Sequence, residues 1–145
     1  MEHRLVARVL LTVFCGLQGV GTVAIDLTRT HAKNPVWTPH ARFHSVWQVL
    51  TMVLLAGVEV GLLWGGWVDE GQGFYLALVL AAVAAVAFLV TCVVRAWFDA
   101  RLADVNGVPP VRLRVRGRVW EVDLNLVVEI VSLAVLGTIV AIYRR

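Results

Sequence analysis

FYLALVLAAVAAVAFLVTCVV, residues 74–94, runs for 21 positions without one charged side chain. A hydrocarbon layer about 30 Å thick takes roughly 20 residues of helix at about 1.5 Å each, so this stretch reads as a membrane-crossing helix. Working outward from it, the same reading gives four candidate spans, residues 5–26, 43–67, 73–97 and 120–143. They leave too little of the 145-residue chain for a separate soluble domain, so the 59% hydrophobic content describes lipid-facing and interhelical surface. The expected fold is all-α: a four-transmembrane-helix bundle with a polar intramembrane cavity, one domain over residues 1–145.

The first span could be confused with a secretory signal, because Thr22-Val23-Ala24 offers small residues for cleavage, but its apolar region is too long for that. A lipid-modified cysteine is excluded by bulky Phe14 in front of Cys15. Cys15 and Cys92 both fall inside spans, where a thiol behaves as a small apolar group.

Of the 13 Lys and Arg residues, nine lie in or beside the first and third loops: Arg29, Lys33, Arg42, Arg95, Arg101, Arg112, Arg114, Arg116 and Arg118. Four lie on the opposite side, where the second loop offers Asp69 and Glu70. The positive-inside rule then puts loops one and three in the cytoplasm and both termini outside. The formal net charge of +3 is an orientation and lipid-headgroup signal, and no basic soluble module suggests nucleic acid.

VRLRVRGRVWEV, residues 111–122, admits two readings. An extended ribbon turning at Arg116-Gly117 would place Arg112, Arg114, Arg116 and Arg118 on one face, open to use as a specific phosphate or cofactor site; a solvated basic loop would lie on anionic headgroups.

Helical spacing gathers the polar residues of each span into a stripe. The first span has Cys15, Gln18, Thr22 and Asp26; the second has His44, Gln48, Thr51 and Glu59; the fourth has Glu121, Asn125, Glu129 and Ser132. The third carries Thr91, Arg95 and Asp99 toward one end and the small residues Ala77, Ala81 and Ala85 toward the other. Buried charge within a bilayer is costly, so such groups face the bundle interior, pair, or take up a proton. One shared chamber near the cytoplasmic side is the expectation.

The first loop, HAKNPVWTPHARFH over residues 31–44, holds three histidines, but only His40 and His44 have helix-face spacing, so no metal site is read from them. Asn34-Pro35 reads as turn punctuation, Thr38 as a helix cap with Pro39 behind it, and Arg42 as a lipid-phosphate contact. His40, His44 and Gln48 recur every four residues and suggest a proton entry path. No phosphate loop, haem attachment pair or dinucleotide fingerprint is present, and no cofactor is expected.

The run NPVWTPHARFH, residues 34–44, resembles the signature of a family of small bacterial four-helix membrane proteins of unknown function. The layout is also similar, more distantly, to the sterol-isomerase and sigma-2-receptor superfamily, whose members isomerise or bind a lipophilic molecule within the membrane. That resemblance implies His44 and Gln48 at the superfamily's His and Glu positions, and Gln48 departs from it because an amide cannot shuttle a proton. The resulting expectation is a membrane-embedded acid–base enzyme, an isomerase or cyclase, in a bacterial inner membrane. Glu129 would be its acid, with Glu59 or Asp26 as second carboxylate and His44 as relay. Gln18, Gln48, Asn125 and Arg95 would contact the substrate, and Trp47 or Trp120 would stabilise a cation. Its partners would be a lipophilic small molecule and membrane lipids. The rival readings are a non-catalytic lipid-binding or assembly subunit of a membrane complex, with a partner membrane subunit, and a small proton-coupled transporter working as a homo-oligomer such as a dimer.

Overall fold

A computed structural model describes residues 2–104 and 106–145. Four helices, α1 (Glu2–Asp26), α2 (Pro39–Trp64), α3 (Glu70–Val94) and α4 (Leu124–Tyr143), are each long and apolar enough to cross a membrane. They fit a multi-pass membrane protein. A 3-10 turn, Arg95–Phe98, continues α3, and a two-stranded antiparallel sheet, β1 (Val111–Val115) with β2 (Arg118–Val122), precedes α4.

The helix starts follow local chemistry. Thr38 Oγ1 accepts from the Ala41 N–H at 3.1 Å with Pro39 at the first position, so α2 starts four residues before the span read from hydropathy. Asp69 caps α3 by accepting from the Gln72 N–H at 3.0 Å, and Asp123 caps α4 by accepting from the Leu126 N–H at 3.0 Å.

The helices pack in the cyclic order α1, α2, α3, α4, with α1 and α3 meeting narrowly across the diagonal. Small residues set the closest approaches: Ala77, Ala81 and Ala85 are buried, and Gly19 of α1 faces Ala56 of α2. At Gly73 a Cβ would lie 2.3 Å from the carbonyl oxygen of Leu62, so the α2–α3 turn admits only glycine there.

Burial is lopsided along the bundle axis. Ala7, Leu11, Cys15, Leu63, Phe74, Ala77, Ala81, Leu136, Ile139 and Tyr143 form one core cluster at the end that carries the termini and the second loop. Toward loops one and three α4 has no fully buried residue before Leu136, and burial on α1 stops at Gly19. Among the described residues the buried polar or charged side chains are Asn34 and Glu59.

Two expectations about the third loop are corrected. The fold is not all-α, since residues 118–122 are strand: Trp120 and Glu121 stand on β2, and α4 starts at Leu124 instead of residue 120. The four arginines also do not share a face. Arg116 and Gly117 both have positive φ, 48° and 78°, as a two-residue turn requires, and Val115 pairs with Arg118. Cross-strand partners point the same way, so Arg118 falls on the face of Val111, Leu113 and Val115, opposite to Arg112 and Arg114.

Candidate functional site

The polar residues expected in one chamber separate into four places. The first is inside the bundle, where the Glu59 side chain is 1% exposed and its carboxyl lies beside the thiol of Cys15, itself fully buried. One carboxyl oxygen, Oε2, has no hydrogen-bond partner among the described residues. One turn farther along α1, Gln18 Nε2 donates to the Ala81 carbonyl oxygen of α3 at 3.2 Å, fixing the amide across the diagonal of the bundle. This position is nearer the second-loop end of the span, since Glu59 is five residues, about 7.5 Å, from the end of α2 at Trp64.

The second place is the exposed face of α2. His44, Trp47, Gln48, Thr51 and Met52 line an open groove of about 310 Å³. His44 and His40 meet at Nε2–Nε2 3.1 Å, one ring donating and the other accepting, with ring planes nearly perpendicular. The His44 ring also lies against Trp47, with centroids 5.7 Å apart. Thr51 turns its hydroxyl back to the Trp47 carbonyl at 3.0 Å. The stripe is therefore real, but α2 buries the neighbouring row, Val49, Glu59 and Leu63, and leaves His44, Gln48 and Thr51 outside.

Glu129, the third, is half-buried on the loosely packed first half of α4, without a hydrogen bond among the described residues. Asn125, one turn earlier, is exposed. Because α4 neighbours α1 and α3, the closest packing of the bundle does not bring Glu129 to His44.

The fourth is the loop end. Asp26 Oδ1 is 3.6 Å from His31 Nδ1, which also bonds the Thr30 hydroxyl at 2.9 Å. Arg95 Nη1 donates to the Cys92 carbonyl at 2.8 Å and so caps its own helix. Arg42 Nη2 donates to the Pro35 carbonyl at 3.1 Å, holding the first loop where a lipid phosphate was expected. Trp120 is on the sheet opposite Leu113 and lines no part of the helix bundle core.

The sequence reading passed over two features. Asn34 is a buried tie between loops: its amide donates to the carbonyls of Asn106 and, at 3.5 Å, Thr30, while its own oxygen accepts from the Val36 N–H at 3.1 Å. The Asn34-Pro35 turn signal was its trace in the sequence. Arg8 is the other: it donates to Glu70 Oε2 at 2.9 Å and to the Leu63 carbonyl, and its guanidinium lies 4.2 Å over Trp64. That indole donates to Thr12 Oγ1 at 2.8 Å, so α1, α2 and α3 are knotted together at the end away from loops one and three.

Among the described residues no group of three or more His, Cys, Asp or Glu side chains is placed to hold a metal ion. No curated protein and no solved structure matches the chain. The family model that does match begins at residue 10 and continues to residue 145, taking in most of α1, the Asn34 tie, the α2 groove, the hairpin and α4; the chain belongs to the family of unknown function DUF6640.

Proposed function

We propose that the protein is a multi-pass protein of a bacterial inner membrane that binds a lipophilic molecule along α2, its loops one and three in the cytoplasm. The groove beside His44, Gln48 and Thr51 carries this reading. It combines an apolar wall, Trp47 and Met52, with two hydrogen-bonding side chains at its loop-one end, and it opens sideways, the direction from which a bilayer-dissolved molecule arrives. A headgroup hydroxyl, amine or carboxyl would meet His44 and Gln48 while its chain follows Thr51 and Met52.

Photolabelling with a diazirine-bearing, alkyne-tagged fatty acid in native membranes tests the reading. Label is expected to concentrate in the peptide containing residues 47–52, and Thr51→Trp, which fills the groove, should abolish it. His44→Phe and Gln48→Leu should each weaken retention about 2- to 10-fold, the worth of one neutral hydrogen bond of about 0.5–1.5 kcal/mol. Label spread over all four helices in proportion to exposed surface would refute the groove.

A second reading, acid–base isomerisation or cyclisation of such a molecule, draws on the unpartnered oxygen of Glu59. It requires Glu59 or Glu129 to reach the bound substrate, with Asp26 as a further carboxylate and His44 as relay. Turnover lost in Glu59→Gln or Glu129→Gln, with photolabelling intact, would support it; turnover unchanged in both would remove it. The distant similarity to the sterol-isomerase and sigma-2-receptor superfamily belongs to this reading alone.

A further inference from the structure

The β1–β2 hairpin is amphipathic in a way that its sequence hides. Register places Val111, Leu113, Val115, Trp120 and Val122 on one face, with Arg118 near the turn; Arg112, Arg114, Val119 and Glu121 occupy the other. Leu113, Val115 and Trp120 are 47%, 52% and 59% exposed, so nothing within the described chain covers the apolar face. An isolated two-stranded hairpin is marginal in water and needs a surface against its apolar side.

Its position supplies one. A single residue, Asp123, separates Val122 from the first residue of α4, so β2 is held at the mouth of a membrane span. At the same end Trp97 and Phe98, in the turn that finishes α3, are 81% and 74% exposed, as aromatic side chains at headgroup depth are. The charge suits an anionic surface: Arg112 is paired with Glu121 at 3.1 Å, while Arg114, Arg116 and Arg118 have no ion-pair partner among the described residues.

We propose that the hairpin is a membrane-surface anchor, its Leu113–Trp120 face seated in the headgroup layer, with Arg116 at the turn and Arg118 on that same face bound to the phosphates of anionic phospholipids and Arg114 turned to water. The anchor is independent of the α2 groove and rests on the helices crossing the bilayer. It also fixes loop three, and through the Asn34–Asn106 bond it fixes loop one, at a constant depth. Arg116 and Arg118 make the seating lipid-dependent, since a zwitterionic headgroup offsets its phosphate with its own cation and only anionic lipid leaves a net negative surface to attract them.

Spin labels at Leu113→Cys and, separately, Arg114→Cys, in a Cys92→Ala background with Cys15 left buried, test it in the full chain. The protein would be reconstituted into nanodiscs of phosphatidylcholine alone and of phosphatidylcholine and phosphatidylglycerol in equal parts. Expected with phosphatidylglycerol is opposite accessibility at these adjacent positions: Leu113→Cys collides with dissolved oxygen and is shielded from a water-soluble nickel chelate, and Arg114→Cys the reverse. In phosphatidylcholine, and in an Arg116/Arg118→Gln variant labelled at Leu113→Cys in either membrane, the shielding of residue 113 should be lost. Nickel access at both positions in both membranes overturns the anchor, and identical shielding in the two lipids overturns the headgroup assignment. Shielding of residue 113 from oxygen and nickel alike would show a protein partner or a second copy on that face and also overturns it.

Discussion

Replacing Glu59 with leucine should make the protein more stable. A buried acceptor without a partner costs about 1–3 kcal/mol, and Glu59 has one such oxygen at 1% exposure. The interaction given up is a contact with the Cys15 thiol, and sulfur is a weak hydrogen-bonding group. Leucine is slightly bulkier, and overpacking offsets part of the gain where a core cannot relax. The net expectation for Glu59→Leu is about 1–2 kcal/mol of stabilisation, consistent with the general finding that well-packed apolar residues replace buried ionisable groups at no loss. Glu59→Gln keeps the shape and the orphaned position and should lie within about 0.5 kcal/mol of the parent. Reversible unfolding in dodecylmaltoside, followed by the far-UV helix signal, measures both. A loss of more than about 1 kcal/mol in Glu59→Leu would mean that the carboxyl is satisfied and structural, refuting the reading of Oε2 as an unpartnered buried acceptor. If stability rises while photolabelling or turnover falls, the side chain is retained for what it does.

Gly73→Ala should cost about 1–3 kcal/mol in the same assay, because its Cβ would stand 2.3 Å from a backbone oxygen that cannot rotate away; unchanged stability would place the α2–α3 crossing farther apart than described here. Asn34→Ala removes the tie to the Thr30 and Asn106 carbonyls and to the Val36 N–H, so hydrogen exchange at residues 31–36 and 106–107 should rise together by about 10-fold or more, the equivalent of about 1.4 kcal/mol. Faster exchange in the first loop alone would show that the two loops are not joined through this residue.

The helices were legible because span length and apolar composition are properties of each segment alone. Thr38-Pro39 was legible too, since a cap is local chemistry. What failed were features that depend on a neighbour. VRLRVRGRVWEV could be a hairpin from its alternation, but the facing of Arg118 turns on the count of turn residues, and a two-residue turn reverses the parity that continuous alternation suggests. The same apolar run drew the fourth span back to residue 120, because Val119-Trp120 suits a strand as readily as a helix. On α2 the stripe of His44, Gln48 and Thr51 was found at its true spacing, yet which row of a helix is buried is decided by α1 and α3. They cover Leu63. Glu59 is the point where the two rows converge, the residue for which the sequence stripe and the buried face coincide.

The uneven packing bears on the ligand groove proposed at the loop-one end of α2. At the other end Arg8 bonds Glu70 and the Leu63 carbonyl and covers Trp64, Phe74 stacks on Tyr143 with centroids 3.7 Å apart, and Arg4 lies 5.5 Å from the same tyrosine ring. Those contacts join all four helices in one place, and separating any pair there breaks aromatic and charge-assisted contacts together. Toward loops one and three the ties are single ones: Gln18 bonds the Ala81 carbonyl at mid-span, and beyond it Asn34 joins the two loops to each other. Local opening takes the least free energy where buried apolar contact is sparsest, so motion should concentrate at that end, hinged on the aromatic and arginine cluster. Helices that part there would carry Glu129 and the α2 groove outward while leaving Glu59 and Cys15 enclosed. A lipophilic ligand entering from the bilayer would therefore meet α2 and α4 first. On the acid–base reading it would reach the buried carboxyl only after the helices part, so chemistry at Glu59 would require that opening in addition to binding on α2.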